Sequence, residues 1–397
     1  MIERKEYFNK LKTFKDKQLI KVVTGIRRCG KSTLLKMFQN YLLQNGVNPN
    51  QIIAINFEDP DFEDLKDYKS LYNYIKEKLI PNQKNYIFLD EIQNVVDYQK
   101  AIDGLYIKTN VDLYITGSNA YFLSGELATL LSGRYIEIKM LPLSLGEYLS
   151  ALPDKTDLPA KYRNYLVNSS FPYTLELTDN EQIKTYLGGI YNTVILKDVV
   201  ARKNVSDVNM LESIIKFMFD NIGNITSVKK ISDTMTSAGR KISNHTVENY
   251  LSALIDCFIL YKVNRYDIKG KQYLQTNEKY YLVDIGLRYF LLGSKKADMG
   301  RILENVVYLE FLRRGYEIYI GKVGTLEVDF IAIKDGNIEY YQVAQTVQQP
   351  ETLSRELLPL DYIKDHNPKY LLTLDNEPPS SHNGIKQIYV LDWLLKK

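Results

Sequence analysis

The 397 residues of this chain are enough for two to four domains, and a 45% hydrophobic and 25% charged content is that of an ordinary globular protein. A net charge of +3 is too small to indicate nucleic-acid binding by itself, and two cysteines exclude a disulfide framework or a cysteine metal cluster. The charged N-terminus does not resemble a signal peptide, and no apolar run approaches the ~18 residues of a membrane span. We therefore expect a soluble, cytoplasmic protein.

Residues 1–150 alternate short apolar strands with helical patterns, which predicts an α/β domain with a parallel sheet covered on both faces. In such sheets, ligands bind beyond the carboxyl ends of the strands. The predicted strands are Leu19–Thr24, Gln51–Asn56, Tyr86–Leu89, Val111–Thr116 and Tyr135–Lys139, with helices such as Ser32–Gln44 and Leu71–Leu79 between them.

Three further regions are predicted from the remaining sequence. Residues 151–205 are mainly helical and suit a lid or linker. Residues 206–297 contain three helices and a tyrosine-rich hairpin, which is the outline of a winged helix; the third helix is predicted to run from Asn244 to Leu260. Residues 298–397 return to mixed α/β, with a helix over Gly300–Arg314 and strands near Ile318, at Leu326–Lys334 and at Ile338–Val343.

A phosphate-binding loop follows the first predicted strand. The loop matches the pattern GxxxxGK[ST] in full with Gly25-Ile-Arg-Arg-Cys-Gly30-Lys31-Ser32, and it stands between a predicted strand and a predicted helix, as the pattern requires. The glycines let backbone N–H groups face phosphate oxygens, and Lys31 brings a charge to the β- and γ-phosphates. The Ser32 hydroxyl suits Mg²⁺, and Thr33 adds to the helix N-terminus that faces the phosphates. The expected ligands are therefore ATP and Mg²⁺.

The strand Tyr86-Ile-Phe-Leu-Asp90-Glu91 ends in two acids that suit hydrolysis. An acid at the tip of such a strand can hold the Mg²⁺ shell, a role that we assign to Asp90. Glu91 beside it can orient or deprotonate the attacking water. A small-molecule kinase also has a phosphate-binding loop, but this pair of acids fits hydrolysis better. The sequence thus predicts an ATPase rather than a protein that only binds nucleotide.

Four motifs in order resemble AAA-type P-loop ATPases of the archaeal-ATPase-like group, which is related to the STAND ATPases: GIRRCGKSTLL (25–35), FLDEIQNV (88–95), YITGSNAYFLSGEL (114–127) and LLSGRYIEIKMLPLSLGEYL (130–149). The resemblance implies that Asn119, or Ser118 beside it, is the first sensor of the γ-phosphate. It also implies that Arg134 is an arginine finger supplied by a neighbouring subunit, so we expect a homo-oligomer with shared ATP sites. The alternative for Arg134 is an ion pair within the chain.

The winged-helix region carries residues that suit duplex DNA, although such a fold also serves as a protein-interaction module. Glu248, Asp267 and Glu278 dilute its positive charge. The candidates are Arg240 and Lys241 for phosphates, Asn244, His245 and Asn249 for base edges, and Arg265, Lys269 and Lys271 on the wing.

The last hundred residues resemble the PD-(D/E)xK nuclease fold, a restriction-endonuclease-like α/β domain. Glu304 and Asp329 match its acidic positions, but Gln342 and Ala344 stand where an active member has Glu and Lys. A neutral amide and a methyl group cannot replace a metal-binding carboxylate and a lysine, so we expect no nuclease activity. Lys322 and Lys334 are possible substitutes for the missing lysine.

These observations predict an ATP-hydrolysing switch or machine that is associated with DNA or with another protein. Two alternatives stay open at this point. One is a DNA-binding assembly protein whose oligomeric state is set by ATP. The other is a nucleotide-gated nuclease.

Overall fold

The computed structural model describes residues 2–120, 133–193, 198–203, 205, 207–270, 272–293 and 299–396. Lys271 and the part of the quoted motifs at 121–132 lie outside these residues. The chain divides into two compact units, one of residues 1–142 with 256–258, and one of residues 143–255 with 259–397. The first unit therefore ends before residue 150, where the sequence led us to expect the end of the ATPase core.

A five-stranded parallel sheet forms the centre of the first unit, in the order β2-β3-β4-β1-β5. All five predicted strands are present, and each predicted end is within one residue of the observed end. The strands are β1 Ile20–Thr24, β2 Ile52–Asn56, β3 Asn85–Asp90, β4 Val111–Gly117 and β5 Tyr135–Lys139.

Helices and short 3₁₀ segments connect these strands. The strands β1, β3 and β4 are buried along their whole length, as expected for a parallel sheet covered by helices. The first helix, which precedes β1, was not predicted from the sequence. The helices are α1 Lys5–Phe14, α2 Lys31–Gln44, α3 Tyr68–Lys78 and α4 Tyr98–Tyr106, and the 3₁₀ segments are Pro49–Gln51, Pro60–Leu65 and Ile92–Asn94.

The second unit begins with helices and continues into an eight-stranded mixed sheet of order β12-β13-β11-β10-β9-β8-β6-β7. The helices are α5 Leu145–Ala151, α6 Leu158–Val167, α7 Asn180–Ile190, α8 Asp198–Lys203, α9 Val208–Asp220, α10 Val228–Ser237, α11 Asn244–Asp256, α12 Ile285–Leu292, α13 Met299–Arg313, α14 Pro350–Asp361 and α15 Val390–Leu395, with a 3₁₀ segment at Pro172–Glu176. The strands are β6 Leu260–Asp267, β7 Gln272–Leu282, β8 Glu317–Val323, β9 Leu326–Lys334, β10 Asn337–Ala344, β11 Lys369–Thr373, β12 Ser380–His382 and β13 Ile385–Tyr389.

The predicted hairpin is part of this large sheet. Strand β6 pairs with β7 in antiparallel fashion and with β8 in parallel fashion, with Arg265 opposite Ile320. The boundary expected at residue 297 therefore falls between strands of one sheet. The helix expected to reach Leu260 ends at Asp256 instead, because Leu260 begins the strand that makes these pairings.

Candidate functional site

Thr116 joins the two acids at the carboxyl ends of β3 and β4. Its Oγ1 donates a hydrogen bond to Asp90 Oδ1 at 2.5 Å and accepts one from the Glu91 N–H at 2.9 Å. This contact follows from the sheet order, because β4 lies between β3 and the strand that leads into the phosphate-binding loop. The sheet thus brings Gly25, Asp90, Glu91 and Thr116 together at the carboxyl ends of its strands.

The phosphate-binding loop has the backbone conformation that its glycines permit. Gly25 and Gly30 have φ of +149° and +104°, in a region that favours glycine. A Cβ on Gly25 would lie 2.1 Å from the Met140 carbonyl oxygen, so a larger residue does not fit. Gly30 is followed directly by α2, whose first residue is the buried Lys31. The loop therefore has the shape that a phosphate cradle requires.

Ser32 and Thr33 lie exposed in the first turn of α2. Ser32 also hydrogen-bonds to the buried Asp90 carboxyl. Burial raises the pKa of Asp90, and its bonds to Ser32 and Thr116 only partly oppose this. A hydroxyl beside a carboxylate is an oxygen donor pair that suits a hard cation. Ser32 and Asp90 therefore fit Mg²⁺. Among the described residues, no group of three His, Cys, Asp or Glu is arranged to hold a metal ion, so phosphates and water would supply the remaining Mg²⁺ ligands.

Glu91 is held by Lys31 and by Gln93. The Lys31 Nζ lies 3.4 Å from Glu91 Oε1 and donates to the Gly25 and Ile26 carbonyls at 3.0 and 3.3 Å. Gln93 Nε2 donates to Glu91 Oε2 at 2.5 Å. Burial raises the pKa of Glu91, but Lys31, Gln93 and further partners outweigh burial and leave it below the usual value. The carboxylate is therefore charged and fixed in place.

The backbone of Glu91 is also unusual. Its φ is +53°, a left-handed conformation that non-glycine residues adopt rarely and that tends to occur at functional sites. Ser118 and Asn119 are buried at the end of β4, and Gln93 Nε2 lies 3.4 Å from Ser118 Oγ. Ser118 therefore contacts the Glu91–Gln93 pair, while the choice between Ser118 and Asn119 as first sensor stays a prediction.

Gln93 and Arg4 are two site residues that the sequence reasoning missed. Gln93 is within a quoted motif, yet nothing in its spacing pointed to Glu91. Arg4 is buried and precedes α1; it donates to the Cys29 carbonyl in the phosphate-binding loop at 2.9 Å and to the Leu141 carbonyl at 2.6 Å. It therefore ties the loop to the chain after β5. A lone arginine near the start of a sequence carries no signal for this contact.

Arg134 lies at the opposite end of the sheet from the phosphate-binding loop. Its carbonyl accepts a hydrogen bond from Ile20 N–H at the start of β1, whereas Gly25 follows the end of that strand. Five strand residues span about 16 Å. The Arg134 guanidinium pairs with Asp103 and lies 5.4 Å from the centre of the Tyr106 ring. Arg134 is thus too far from the Lys31 site of its own chain to contact a phosphate there.

The helices and hairpin proposed for DNA are present in the expected order. Arg240 is not directed freely outward, because it donates to the Asn209 carbonyl and to Ser213 Oγ. His245 and Asn249 contact each other at 3.2 Å, and Lys241 and Lys269 are exposed. The winged-helix assignment and DNA contact stay predictions.

The acidic positions of the region predicted to be nuclease-like lie close together in the structure. Glu304, Asp329 and Gln342 border one cavity of about 600 Å³, and so does Ala344. Of the two suggested replacement lysines, Lys334 donates to the Arg314 carbonyl. Within the part of the chain that the structure describes, Lys322 forms no ion pair with Glu304 or Asp329 and lies opposite Glu327 in the β8–β9 register. The lysine that reaches the acids is Lys279 on β7, which the sequence reasoning did not consider.

The described residues include no helix that has both the length and the apolar character needed to cross a membrane. Comparison with known proteins gives two family matches. Residues 17–149 match an AAA domain, and residues 159–298 match a domain of unknown function, DUF8612.

Relatives extend over the whole chain. It is 43% identical to an uncharacterized protein of Haemophilus influenzae over 100% of this chain and 99% of that protein. It is 31% identical to the uncharacterized protein MJ1544 of Methanocaldococcus jannaschii, over 83% of this chain and 75% of that protein. The structure resembles the Walker-type ATPase PABY2304 of Pyrococcus abyssi, with a TM-score of 0.51 and 16% identity over 74% of this chain and 96% of that one. At that identity the likeness concerns the fold alone.

Proposed function

The chain belongs to the family of these Haemophilus and Methanocaldococcus relatives and carries an AAA domain of the P-loop ATPase fold, and on this premise we propose that it hydrolyses ATP to ADP and phosphate. One observation carries the proposal. Lys31, Asp90 and Glu91 meet at one sheet edge, with Glu91 charged and 3.4 Å from the Lys31 ammonium. A nucleotide-binding protein without hydrolysis has no need of the second acid.

Each residue has a separate part in this reaction. Backbone amides of the loop from Gly25 to Gly30 and the N-terminus of α2 hold the phosphates, and Lys31 neutralises the β- and γ-oxygens. Ser32 and Asp90 would hold Mg²⁺, which supplies charge neutralisation for the phosphates when bound. Glu91 accepts a proton from the attacking water.

Because Lys31 contacts Glu91, the proposed general base, ATP binding would change the surroundings of the Glu91 carboxylate. A γ-phosphate competes with Glu91 for the Lys31 ammonium, because both are anions that need the same donor. When Lys31 turns to the γ-phosphate, Glu91 keeps its contacts with Gln93 and Ser118, and its carboxylate is then available to accept a hydrogen bond from water. We therefore propose that Gln93 positions Glu91 during hydrolysis.

Two substitutions test the reaction. Lys31→Ala is expected to weaken ATP binding by about 10- to 100-fold, because a hydrogen bond to a charged group is worth about 1.5–3 kcal/mol. Glu91→Gln is expected to bind ATP and to lower kcat by about 10²–10⁴-fold, since it removes the general base and keeps the shape. The measurements are calorimetric ATP titration with Mg²⁺ and steady-state phosphate release.

The exposed Glu77→Gln is a matched control for the loss of one acidic charge and should change neither quantity. Equal hydrolysis rates for the wild type and Glu91→Gln would contradict the assignment of the base. Failure of the intact chain to bind ATP or ADP in the presence of Mg²⁺ would contradict the proposal as a whole.

We propose in addition that the nuclease-like region has no cleavage activity. Gln342 Nε2 donates to Glu356 Oε2 at 3.0 Å, and its Oε1 accepts from the Asp329 N–H at 3.3 Å, so the amide is committed to protein groups. Plasmid cleavage with Mg²⁺ or Mn²⁺ that disappears in Asp329→Ala would contradict this.

A further inference from the structure

Arg4 is a buried arginine whose guanidinium lies between two segments of the first unit. Its Nη1 donates to the Cys29 carbonyl at 2.9 Å, and its Nη2 donates to the Leu141 carbonyl at 2.6 Å and to the Pro142 carbonyl at 3.4 Å. The residue is only 4% exposed. One planar group thus joins the phosphate-binding loop to the chain that follows β5.

Helix α1 fixes the position of this guanidinium. Arg4 immediately precedes the helix, and its carbonyl accepts from the Phe8 N–H at 2.9 Å. The Arg4 Cζ lies 5.0 Å from the centre of the buried Tyr7 ring, and the Tyr7 hydroxyl accepts from the Leu141 N–H at 3.2 Å. The Phe8 ring packs against Phe38 of α2, with 5.7 Å between the ring centres. The guanidinium is therefore held by the fold and not only by the loop that it contacts.

The Cys29 carbonyl belongs to the peptide group that also carries the Gly30 N–H. In a trans peptide the C=O and N–H bonds point in opposite directions, and the described residues include no cis peptide. A carbonyl held towards Arg4 therefore turns the Gly30 N–H to the other side of the loop. Gly30 directly precedes α2, where the amides of a phosphate-binding loop and of a helix N-terminus bind phosphate.

Contacts on the other parts of Cys29 leave its carbonyl to Arg4. The Cys29 thiol donates to the Met140 carbonyl at 3.5 Å, and the Cys29 N–H donates to the Ile26 carbonyl at 3.4 Å. Over the described ranges of the chain, the Arg4 guanidinium is the one donor to the Cys29 carbonyl. Without Arg4, the thiol and the N–H of Cys29 would keep their partners while the peptide after them could turn.

Glycine makes this peptide easy to turn when nothing holds it. Gly30 has a φ of +104°, and a residue without a Cβ adopts positive and negative φ about equally readily. Rotation of the peptide plane by half a turn would replace the Gly30 N–H with the Cys29 carbonyl oxygen, which repels phosphate oxygens. The contact with Arg4 opposes this rotation.

We propose that Arg4 is a positioning residue for nucleotide binding, which holds the Cys29–Gly30 peptide in the orientation that directs the Gly30 N–H at a phosphate. The inference rests on the proposed ATPase function and deepens it, because it adds a residue outside the GxxxxGK[ST] pattern on which nucleotide affinity depends. Arg4 acts through the loop backbone and does not itself touch the nucleotide. Loop amides bind the α- and β-phosphates, so Arg4 should matter equally for ATP and ADP and little for the step that involves Glu91.

Arg4→Met in the full chain tests this split between binding and turnover. The Kd for ATP and for ADP, each with Mg²⁺, should rise by about tenfold, because a hydrogen bond to a charged group is lost. The KM for ATP should rise by a similar factor, while kcat at saturating ATP should stay within about threefold of the wild-type value. Calorimetric titration and steady-state phosphate release measure these quantities, and thermal unfolding shows that the variant is folded.

The Gly30 amide reports directly on the orientation of the peptide. Cys29–Gly30 is the single Cys-Gly pair of the sequence, so labelling cysteine with carbonyl ¹³C and glycine with ¹⁵N selects this one amide in an NMR spectrum. In the wild type, its proton should shift downfield when ADP and Mg²⁺ bind, because it then donates to a charged phosphate oxygen. In Arg4→Met at saturating ADP, this shift should be reduced. A purely structural role of Arg4 would leave the shift unchanged.

Two further variants separate geometry from charge. Lys5→Met removes the neighbouring positive charge, which is exposed and lies 3.4 Å from Glu3, and should leave each Kd unchanged. Arg4→Lys keeps the charge, but its ammonium ends about one bond short of the Nη1 position and lacks the planar fork, so Kd should still rise by about threefold or more. If Arg4 acted only by attracting phosphate, Arg4→Lys would keep the wild-type Kd.

Three outcomes would overturn the proposal. One is a folded Arg4→Met with the wild-type Kd for ADP, and another is a loss of kcat without a loss of affinity. The third is a weakened Kd with an unchanged Gly30 shift. If Arg4→Met does not fold, Arg4→Lys carries the same measurements, and a wild-type Kd in that variant would overturn the proposal equally. ATP binding and hydrolysis by the wild type in any of these cases would leave the proposed function intact, whereas a wild type that binds neither nucleotide would contradict that function itself.

Discussion

Gln93 shows how one amide affects the carboxylate of Glu91, the proposed general base. Its Nε2 contacts both Glu91 and Ser118, while its Oε1 is buried and has no hydrogen-bond partner among the described residues. A donor to the charged form of a carboxylate favours that form. After burial, which raises the pKa of Glu91, and Lys31, which lowers it, Gln93 is the next contributor to its low pKa.

Gln93→Met keeps the size of the side chain and removes the donor. The pKa of Glu91 should then rise, so that more of it is protonated at acidic pH. We expect the acid limb of the kcat profile to move to higher pH, with a kcat loss near neutral pH of about tenfold or less. The measurement is kcat and KM for ATP across the pH range.

Asn94→Leu is the control, because it removes the adjacent side-chain amide, which lies 3.5 Å from the Phe57 carbonyl, and keeps the backbone hydrogen bond from Asn94 N–H to the Glu91 carbonyl. A kcat profile that only falls in Gln93→Met, without moving along the pH axis, would show that Gln93 has a purely structural role.

At the scale of elements, the start of α12 depends on close packing against the segment at Ser169. Asp284 caps the helix by accepting from the Leu287 N–H at 2.9 Å, and it also accepts from the Ser170 N–H at 2.7 Å. A Cβ on Gly286 would lie 2.4 Å from the Cα and Cβ of Ser169. Backbone atoms cannot move aside as a flexible side chain can, so only glycine fits at this position.

Gly286→Ala should destabilise the second unit by about 1–3 kcal/mol or more through overpacking. Gly189→Ala is the matched control: that glycine lies in α7 with no atom within 4 Å of the added Cβ. It should stabilise the unit by about 0.5–1 kcal/mol, because alanine loses less backbone entropy in a helix. Urea unfolding followed by Trp393 fluorescence measures both. Equal effects of the two substitutions would contradict the packing argument.

At the scale of the whole molecule, the position of Arg134 is compatible with two roles for its side chain. It lies at the amino end of β5, remote from the Lys31 site of its own chain, and pairs with Asp103. A guanidinium in this position serves either as a local ion pair or as a finger for a second copy of the chain. The second explanation requires an oligomer with shared ATP sites, which we propose.

A mixture of two inactive variants tests this proposal. Arg134→Ala and Glu91→Gln should each lower kcat by about 10²-fold or more, and mixing them should recover activity, because some interfaces then combine an intact Arg134 with an intact Glu91. Specific activity of the wild type should also rise with protein concentration. Asp103→Asn is the control, since it removes the partner of Arg134 but keeps the guanidinium.

Concentration-independent turnover, without recovery on mixing, would contradict the shared site. A loss of activity in Asp103→Asn as large as that in Arg134→Ala would instead indicate that the ion pair matters only for the fold of the first unit.

Local sequence patterns predicted the strands of the first unit and the candidate residues for catalysis. The strand from Tyr86 to Leu89 could be predicted because its apolar run is contiguous and ends in two acids, and the loop from Gly25 to Ser32 has a fixed spacing. The end of α11 could not be predicted, because apolar residues continue past Asp256. Whether they form helix or strand depends on the pairing of β6 with β7 and β8. Likewise, periodicity indicated a hairpin but not the sheet that it joins.

By itself, the sequence determined the parallel sheet of the first unit, the phosphate-binding loop and the pair Asp90–Glu91, because these features depend on neighbours along the chain. Only the tertiary structure decided that Arg4 contacts the Cys29 carbonyl, that Thr116 bridges the two acids, and that Lys279 reaches Glu304. These contacts join residues at least 25 positions apart. Strand order and register set such contacts, and no local spacing in the chain encodes them.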